Sequence, residues 1–385
     1  MSNVLIGVTG CIAAYKAAAL VREFIKNDFE VKVIMTENAS KFITALTMRT
    51  LSGNKVYTDL FDDENEYSTE HIALSEWADI LVVAPASADI IGKFACGIAD
   101  DLLSTEYLSF NKHVLIAPTM NERMYLHPAT RRNLTILKER GVVVIEPEKG
   151  FLACGDEGKG RLPDVETILM HAKRLLREKD LLKGKRVVIT GGGTSSKIDP
   201  VRVITNLSTG AMADAFISQA FYLKAEKITY IHGRINVRQN PVSKNIYAES
   251  SHEMLKVLRE EIEKADLLVM AAAVNDFKTN YSEEKIKKNK FSLKLSRDID
   301  ILNEIKNIKT KAVKVGFALE SSELEKNGLK KLREKHLDYI VVNSPSNIGS
   351  NKCSARVLSK SNKTLTLKNI SKEEIAGRVL EWIKI

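Results

Sequence analysis

The chain of 385 residues has 44% hydrophobic and 28% charged residues, a net charge of +9 and a pI of about 9.1. This length and composition favour two globular domains, each large enough to bury its own core. Lysine and arginine are scattered, with no basic stripe interleaved with aromatic residues. Anionic small substrates therefore account for the charge, and nucleic acid is not an expected partner.

Cysteine usage and hydropathy exclude further classes of protein. The four cysteines form no Cys-x-x-Cys pair, which argues against a structural zinc or a dithiol redox site. No apolar run is long enough to span a membrane, and no secretory signal precedes the first predicted strand. We therefore expect a cytoplasmic protein with reduced thiols and no membrane partner.

Predicted strands alternate with helices through residues 3–183. The predicted strands are Val4–Val8, Val31–Met35, Ile80–Ala84, Val114–Ala117 and Val142–Ile145. The predicted helices are Ala13–Asn27, Ala39–Leu51, Pro128–Arg140 and a closing helix that starts at Asp164. This alternation predicts an α/β fold whose parallel sheet is covered by helices on both faces.

In such sheets, ligands bind beyond the carboxyl ends of the strands, so the residues after each strand are candidates. Gly10 and Cys11 follow the first strand and open a helix, a pattern that lets backbone N–H groups approach a phosphate. Thr36 follows the second strand, where it either caps the next helix or donates to a phosphate, and capping is favoured in isolation. Ser87 and Asp89 follow the third strand.

A second predicted strand followed by glycines lies near the middle of the chain. Val187–Ile189 meets the glycines Gly191–Gly193, as Val4–Val8 meets Gly10, and both patterns are typical of a strand that feeds a phosphate-binding turn. Two such strand–turn patterns predict two Rossmann-like domains, 1–183 and 184–385, each binding a nucleotide-like ligand. The glycine cluster lacks Gly-x-Gly-x-x-Gly spacing, so NAD is only the second alternative for the second domain.

The second half again alternates strands with helices and predicts another parallel sheet. Its predicted strands are Arg186–Thr190, Lys227–Ile231, Asn245–Ala248, Leu267–Ala271, Val313–Phe317 and Tyr339–Val342. A hairpin with strands near Arg356–Leu358 and Leu365–Leu367 precedes a last helix, Glu373–Ile383.

Three motifs in the first half resemble the flavin-dependent phosphopantothenoylcysteine decarboxylase family. They are Pro-x-Met-Asn-x-x-Met at Pro118–Met124, His-Ile-x-Leu at His71–Leu74, and Ala-Cys-Gly-Asp at Ala153–Asp156 followed by Gly160–Leu162. The resemblance implies a flavodoxin-like flavoprotein domain that decarboxylates 4′-phosphopantothenoylcysteine with FMN. Transient oxidation of the substrate thiol would create a C=S electron sink for decarboxylation.

The same resemblance implies roles for individual residues. His71 would be the base for thiol oxidation, Asn121 would hold the substrate carboxylate and amide, and Cys154 would donate the final proton. The implied FMN contacts are Gly10, Cys11, Thr36, Ser87 and Asp89. Cys11 stands where relatives usually have glycine or serine, which removes a hydroxyl but keeps backbone donation.

Motifs in the second half resemble phosphopantothenate–cysteine ligase. They are Ile-Asp-Pro-Val-Arg at Ile198–Arg202, the loop Asn206–Gly210, Ala271–Phe277 and Lys-Ile-Lys-Lys at Lys285–Lys288. The resemblance implies that CTP activates the carboxylate of 4′-phosphopantothenate before L-cysteine attacks. Mg²⁺ would be held mainly by the triphosphate rather than by protein ligands.

In this half, Asn206 and Lys285 are the implied catalytic residues. The implied CTP contacts are Met270, Ala271, Ala272, Asp276, Lys285, Asp298, Ile299, Asp300, Ile301, Phe317, Lys331 and Lys335. Without the resemblance, Lys331 and Lys335 are more typical of a solvated helix face. Ser195–Lys197 and Ala211 depart from the ligase pattern and leave the substrate contacts open.

The order of the two halves resembles the bifunctional family of coenzyme A biosynthesis. The resemblance implies homo-oligomers: trimers through the flavin halves, with FMN near the subunit interface, and dimers through the ligase halves. Two alternatives stay open, a flavodoxin-like regulatory protein without catalysis and another flavin-dependent cysteine decarboxylase or prenyltransferase. His71, Asn121 and Cys154 occurring together favour the catalytic interpretation.

Overall fold

The computed structural model describes residues 2–61, 70–151, 155, 157–287, 291–320, 323–344, 350 and 352–385. The chain divides into two compact units, residues 1–178 and 179–385.

The first unit alternates strands and helices along most of its length. Its strands are β1 (Ser2–Val8), β2 (Phe29–Met35), β3 (Val56–Tyr57), β4 (Ile80–Ala86), β5 (His113–Pro118), β6 (Val143–Val144), β7 (Glu148–Phe151) and β8 (Glu157–Arg161). Its helices are α1 (Ala14–Lys26), α2 (Glu37–Ser40), α3 (Ala45–Ser52), α4 (Glu70–Trp77), α5 (Ala88–Cys96), α6 (Leu102–Ser109), α7 (Glu122–Leu126), α8 (Pro128–Glu139) and α9 (Val165–Leu176).

Strands β1 to β6 form a parallel sheet in the order β3-β2-β1-β4-β5-β6. Alternate residues of β1 pack on opposite faces: Val4 and Ile6 join a core with Leu20 of α1, whereas Leu5 joins a core with Phe94 of α5. The predicted parallel sheet with helices on both faces is therefore confirmed. The strand order reverses between β1 and β4, so their carboxyl ends diverge around a crevice.

The single helix predicted for Ala39–Leu51 is wrong, because α2 and α3 are separate helices. Thr44 interrupts the run in an extended conformation, with φ −80° and ψ 148°. Its hydroxyl accepts the backbone N–H of Thr47 at 3.3 Å and caps α3. A threonine that caps a new helix competes with continuation of the preceding one.

A carboxyl group is buried between α4 and α6. Glu106 of α6 accepts the Ser75 hydroxyl at 2.8 Å, whereas its other oxygen, Oε2, is buried without a hydrogen-bond partner in the described part of the chain. Burial raises the pKa of Glu106 from 4.5 to about 7, even though the Ser75 hydrogen bond opposes the rise. This group makes the stability of the first unit depend on pH.

The second unit has a wider sheet. Its strands are β9 (Arg186–Gly191), β10 (Ser195–Lys197), β11 (Val203–Thr205), β12 (Lys227–His232), β13 (Lys244–Tyr247), β14 (Leu267–Met270), β15 (Phe277–Thr279), β16 (Leu295–Arg297), β17 (Val313–Leu319), β18 (Tyr339–Asn343), β19 (Lys352–Ser359) and β20 (Thr364–Ser371). Its helices are α10 (Ala211–Tyr222), α11 (Ser251–Ile262), α12 (Ile301–Ile305), α13 (Leu324–Glu334) and α14 (Lys372–Trp382).

The main sheet has the order β13-β12-β9-β14-β17-β18-β19-β20. The first six strands in this order are parallel, and the predicted hairpin β19–β20 adds two antiparallel strands at one edge. Val187 and Ile189 pack with Phe216 of α10 on one face, and Val188 packs with Leu258 of α11 on the other. The strand order reverses between β9 and β14, which again opens a crevice at the carboxyl edge.

The interpretation of Gly191–Gly193 as a phosphate-binding turn is wrong. The N–H of Gly193 donates to the carbonyl of Arg234 at 2.9 Å, and the N–H of Thr194 donates to the carbonyl of Ala273 at 3.3 Å. These two N–H groups donate to backbone carbonyls and cannot also donate to a phosphate. The following helix, α10, starts only at Ala211.

We expect replacement of Glu106 by glutamine to remove a pH-dependent loss of stability. The folded unit holds the Glu106 proton between pH 4.5 and about 7, whereas the unfolded chain releases it. Stability from this group is therefore complete below pH 4.5 and falls as the pH rises to about 7, by roughly 3 kcal/mol in total.

Urea unfolding at pH 5 and pH 8 tests this expectation in a Trp382→Phe background, where Trp77 on α4 is the remaining tryptophan of the two in the chain. The free energy of unfolding should fall less between the two pH values in Glu106→Gln than in the parent. Glu139→Gln, at an exposed position of α8, is the matched control. An equal fall in parent and Glu106→Gln would contradict the assignment.

Candidate active sites

A cavity of about 530 Å³ lies at the strand-order reversal of the first sheet. The turns after β1, β4 and β5 and the β7–β8 hairpin line it. Much of its wall is apolar, including Ile12, Tyr15, Met120, Met124 and Phe151. Such a wall suits a flat aromatic ring system, and the volume falls within the range of small-molecule sites.

Thr9 holds the turns on the two sides of this crevice together. Its buried hydroxyl donates to the carbonyl of Pro85 at 2.8 Å and accepts the N–H of Ser87 at 2.9 Å. Thr9 was not among the predicted site residues, although this threonine lies directly between the first strand and Gly10. The two-sided hydrogen bond explains why a threonine is placed there.

The turn at Gly10 and Cys11 lies at the open start of α1. The N-cap residue Ala13 provides no side-chain cap, but the N–H groups of Ala14 and Lys16 donate to the carbonyls of Cys11 and Ala13 at 2.9 Å, which leaves that of Tyr15 for an anion. A Cβ on Gly10 would lie 2.4 Å from Cβ of Asn38, so only glycine fits this close approach. Burial raises the pKa of the Cys11 thiol, which keeps it neutral in the wall.

The other predicted flavin contacts divide into two groups. Ser87 lines the cavity and caps α5 by accepting the N–H of Ile90 at 3.3 Å, so its own hydroxyl hydrogen can still be donated. Thr36 caps α2 by accepting the N–H of Ala39 at 3.3 Å. Neither Thr36 nor Asp89 is among the described residues that line the cavity.

Asn121 lines the cavity at the start of α7, where its Oδ1 accepts the N–H of Arg123 at 2.8 Å. Strand β8 packs on this segment: the Met120 N–H donates to the Gly160 carbonyl at 3.1 Å, and the Lys159 N–H donates to Glu122 at 2.7 Å. The β7–β8 hairpin is thereby held beside Asn121.

The remaining predicted decarboxylase residues do not complete this cavity. Cys154 belongs to the connection between β7 and β8 but lies outside the described residues. His71 lies half-buried in the first turn of α4 and is not among the described lining residues. The structure therefore brings Gly10, Cys11, Ser87 and Asn121 together without His71.

A second cavity, of about 380 Å³, lies at the carboxyl edge of the second sheet. Asn206 lines it and donates from Nδ2 to the Val274 carbonyl at 2.9 Å. Gly210 precedes α10 with φ +82°, and a Cβ there would lie 2.7 Å from Ile235. Gly210 provides no side-chain cap, and the Thr209 hydroxyl accepts the Ala211 N–H at 3.3 Å, so the N–H groups of Met212 and Ala213 remain for an anion.

Some of the predicted CTP-binding residues line this second cavity. The lining members are Ala271, Ala272, Asp276, Phe317 and Lys331. The described members outside the lining are Met270, Lys285, Asp298, Ile299, Asp300, Ile301 and Lys335.

Several predicted CTP contacts that do not line the cavity stabilise neighbouring segments of the chain. Lys335 pairs with Asp300, which caps α12 by accepting the Asn303 N–H at 3.0 Å. Although burial favours the neutral acid, the hydrogen bond from Lys335 lowers the pKa of Asp300. The Asp298 N–H donates to the Asp276 carbonyl at 2.9 Å, which links two of the predicted nucleotide-binding segments.

Lys285 lies exposed on the connection between β15 and β16. The next residue, Ile286, donates its N–H to buried Asp199 at 3.3 Å and accepts from Arg202 at 3.1 Å. The Ile-Asp-Pro-Val-Arg motif thus anchors the start of the Lys-Ile-Lys-Lys loop. Lys288, the last residue of that motif, lies outside the described residues.

Three further residues of the second cavity wall were not predicted from the sequence: Asn343, Cys353 and Lys372. Asn343 is the last residue of β18, Cys353 is the second residue of β19, and Lys372 follows β20. None of them belongs to a motif. Among the described residues, no cluster of three or more His, Cys, Asp or Glu could hold a metal ion. Within that same part of the chain, no helix has the length and apolar character needed to cross a membrane.

Replacement of Thr9 by valine should lower the stability of the first unit and its affinity for FMN, the cofactor that the resemblance implies. Valine keeps the shape but leaves the Pro85 carbonyl and the Ser87 N–H unpaired, at a cost of about 1–3 kcal/mol. Melting temperature and retained flavin absorbance measure the effect. Thr135→Val, at an exposed helix position, is the matched control, and identical behaviour of the two variants would contradict the role given to Thr9.

Comparison with protein families matches both halves. A model described as "Flavoprotein" matches residues 1–177, and one described as "DNA/pantothenate metabolism flavoprotein C-terminal domain" matches residues 182–385.

Named relatives are similar over most of the chain. A Bacillus subtilis protein named coenzyme A biosynthesis bifunctional protein CoaBC is 43% identical over 348 residues, covering 89% of this chain and 85% of the relative. A Borreliella burgdorferi protein of the same name is 38% identical over 387 residues, covering 98% of each chain. A solved C-terminal domain of a CoaBC protein has 30% identity and a TM-score of 0.47, covering 53% of this chain and 95% of that one.

Both halves and their order thus agree with the same relatives, and the chain belongs to the family of bifunctional coenzyme A biosynthesis proteins, with a flavoprotein decarboxylase domain followed by a ligase domain.

Proposed function

We propose that residues 184–385 join L-cysteine to 4′-phosphopantothenate using CTP and Mg²⁺, and that residues 1–183 decarboxylate the product to 4′-phosphopantetheine using FMN. One observation carries the proposal. Asn121 and Asn206, each the central polar residue of its family motif, line separate cavities at the strand-order reversals of two sheets. Two cavities of this kind suit two consecutive reactions on related substrates.

The first cavity fits FMN. The uncapped start of α1 and the Ser87 hydroxyl suit its phosphate, while the apolar wall suits its ring. When bound, FMN would supply a reversible two-electron sink: two electrons leave the substrate thiol to give a C=S group that stabilises negative charge during loss of carbon dioxide, and they return afterwards with no net oxidation.

The residues of the chain position this substrate and move its protons. Asn121, oriented by its bond to the Arg123 N–H, would fix the carboxylate and amide of 4′-phosphopantothenoylcysteine. His71 would take the thiol proton, and Cys154 would return a proton to carbon at the end.

His71 does not line its own cavity, which supports a site completed by a second copy of the chain. Apolar side chains around the cavity are strongly exposed: Ile12 at 57%, Tyr15 at 59%, Met124 at 50% and Phe151 at 80%. Such a patch suits burial in a homotrimer of first units. The trimer would bring His71 of one copy to the cavity of the next.

The second cavity suits carboxylate activation. A carboxylate oxygen of 4′-phosphopantothenate would attack the α-phosphorus of CTP and release pyrophosphate, and the cysteine amine would then displace CMP from the acyl carbon. Lys331 and the open start of α10 would stabilise phosphate charge, with Mg²⁺ held by the triphosphate. Asn206 would orient the acyl group, and Asp276 would contact the nucleoside.

Lys285 would act by closing its loop over the triphosphate. The exposed position of Lys285 supports this role, and the hydrogen bonds of Ile286 would hold the start of the loop in place. The proposal includes homodimers of the second unit, so the full assembly would use two kinds of contact.

Cys154→Ser should separate decarboxylation from formation of the final product. Each bound FMN should still support loss of one equivalent of carbon dioxide from 4′-phosphopantothenoylcysteine, while formation of 4′-phosphopantetheine falls about 100-fold or more because the proton donor is weaker. Mass spectrometry of the accumulating enethiol measures this. Cys96→Ser, at an exposed cysteine of the same unit, is the control. Full product formation by Cys154→Ser would refute the proton-donor role.

Lys285→Gln should lower ligase turnover by about 100-fold through loss of charge stabilisation in the transition state, and should leave decarboxylation of supplied 4′-phosphopantothenoylcysteine unchanged. Lys294→Gln, at an exposed position of the same β15–β16 connection, is the control. Separate assays of the two reactions give the comparison. Equal losses in both reactions would assign Lys285 a structural role instead.

A further inference from the structure

The C-terminal hairpin brings a late part of the chain to the second cavity. Strand β18 is parallel to its sheet neighbour β17 and ends at the carboxyl edge, and β19 runs antiparallel to it, pairing Ala355 with Asn343. Strand β20 returns beside β19 and pairs Ser371 with Lys352. The start of β19 and the end of β20 therefore lie at the edge where the parallel strands end, and α14 begins there at Lys372.

Lys372 is half-buried and lines the cavity. Its ammonium group donates to the carbonyl of Ser350 at 3.0 Å and makes no ion pair with a carboxylate in the described ranges. A partly buried ammonium group without a counter-ion retains much of its attraction for an anion.

The charge of the cavity wall favours an anion at this position. Lys331 also lines the cavity and makes no ion pair in the described part of the chain, although Asp300 lies near enough for their charges to interact. Lys372 is the first residue of α14, but Ser371 already caps that helix and Glu373 and Glu374 lie in its first turn, so the helix end adds no positive charge to the site. Asp276 is the single acidic residue among the described lining residues, and the two lysines outweigh it.

A further polar atom in the same wall lacks a partner. Oδ1 of Asn343 is buried and accepts no hydrogen bond from the described residues. Unpaired buried acceptors are uncommon in folded proteins, so the hydrogen bonding of this part of the wall is incomplete. Phosphoryl oxygens accept hydrogen bonds, so the Lys372 ammonium group is the side-chain group of this wall that can contact them.

We propose that Lys372 is a phosphate-binding residue of the ligase cavity and contacts phosphoryl oxygens of a substrate through its ammonium group. The inference rests on the proposed ligase function and adds a residue that the family motifs do not include. Two substrates of that reaction carry the required group: the triphosphate of the nucleotide and the single phosphate of 4′-phosphopantothenate. A lysine acts on either as a point charge.

Steady-state kinetics of Lys372→Gln test the proposal and identify the phosphate. We expect the KM of one substrate, CTP or 4′-phosphopantothenate, to rise by about 10- to 100-fold, with kcat changed less than about twofold, as for loss of one charged contact. The substrate whose KM rises carries the phosphate bound by Lys372. Lys372→Arg should restore most of the affinity because it keeps the charge.

Controls separate binding from folding. Lys368→Gln removes an exposed lysine of β20 and should leave both KM values unchanged. The decarboxylase activity of the same Lys372→Gln preparation reports whether the chain is folded. Unchanged KM values for both substrates, or a loss of kcat alone, would overturn the proposal.

Calorimetric titration with tripolyphosphate and with 4′-phosphopantothenate tests binding even if ligation fails. Weaker binding of one probe to Lys372→Gln than to the parent supports the inference. Equal binding of both probes to the two proteins overturns it. A parent chain that binds a probe through Lys372 but forms no phosphopantothenoylcysteine would contradict the proposed reaction and leave the phosphate contact standing.

Discussion

Both units depend on one constraint of parallel sheets. Where the strand order reverses, the connections after two neighbouring strands run to opposite sides, and their carboxyl ends diverge around a crevice. In the first unit this occurs between β1 and β4, and in the second between β9 and β14. Helices that start beside such a crevice point the positive end of their dipole towards it, which would let both units bind an anion without any charged side chain.

The two cavities share this position at a strand-order reversal but suit different chemistry. In the first, the uncapped start of α1 lies beside an extended apolar wall, which suits a flavin. In the second, the start of α10 faces Lys331 and Lys372, which suits the greater negative charge of a triphosphate and a phosphorylated substrate. The product of the proposed ligase reaction is the substrate of the proposed decarboxylase, so both cavities would recognise the same phosphopantothenoyl group.

Local sequence patterns predicted most of the fold, because β-branched runs and helix periodicity are properties of neighbouring residues. The failures arose where distant groups compete for hydrogen bonds. Gly191–Gly193 has the composition of a phosphate turn, but the carbonyl of Arg234 accepts the Gly193 N–H and the carbonyl of Ala273 accepts that of the next residue, Thr194. Thr9 and Lys372 carry no local signal for their positions, since the first acts across a strand reversal and the second is placed by an antiparallel hairpin.

The candidate sites were predictable to the extent that motifs lie directly after strands. Asn121 and Asn206 do, and they line the cavities. His71 and Lys285 lie on elements outside their cavities, and their predicted roles require a second copy or a loop movement. Side chains of this kind cannot be placed by the topology of one chain, because a partner copy or a loop movement would have to supply the missing geometry.

The most direct measurement of the central claim is a product analysis of the purified chain. The visible spectrum is recorded, and the protein is then incubated with 4′-phosphopantothenate, L-cysteine, Mg²⁺ and either CTP or ATP before mass spectrometry. We predict a yellow protein that forms 4′-phosphopantetheine with CTP, passing through 4′-phosphopantothenoylcysteine. A colourless protein that forms neither product with either nucleotide would contradict the assignment of two active sites.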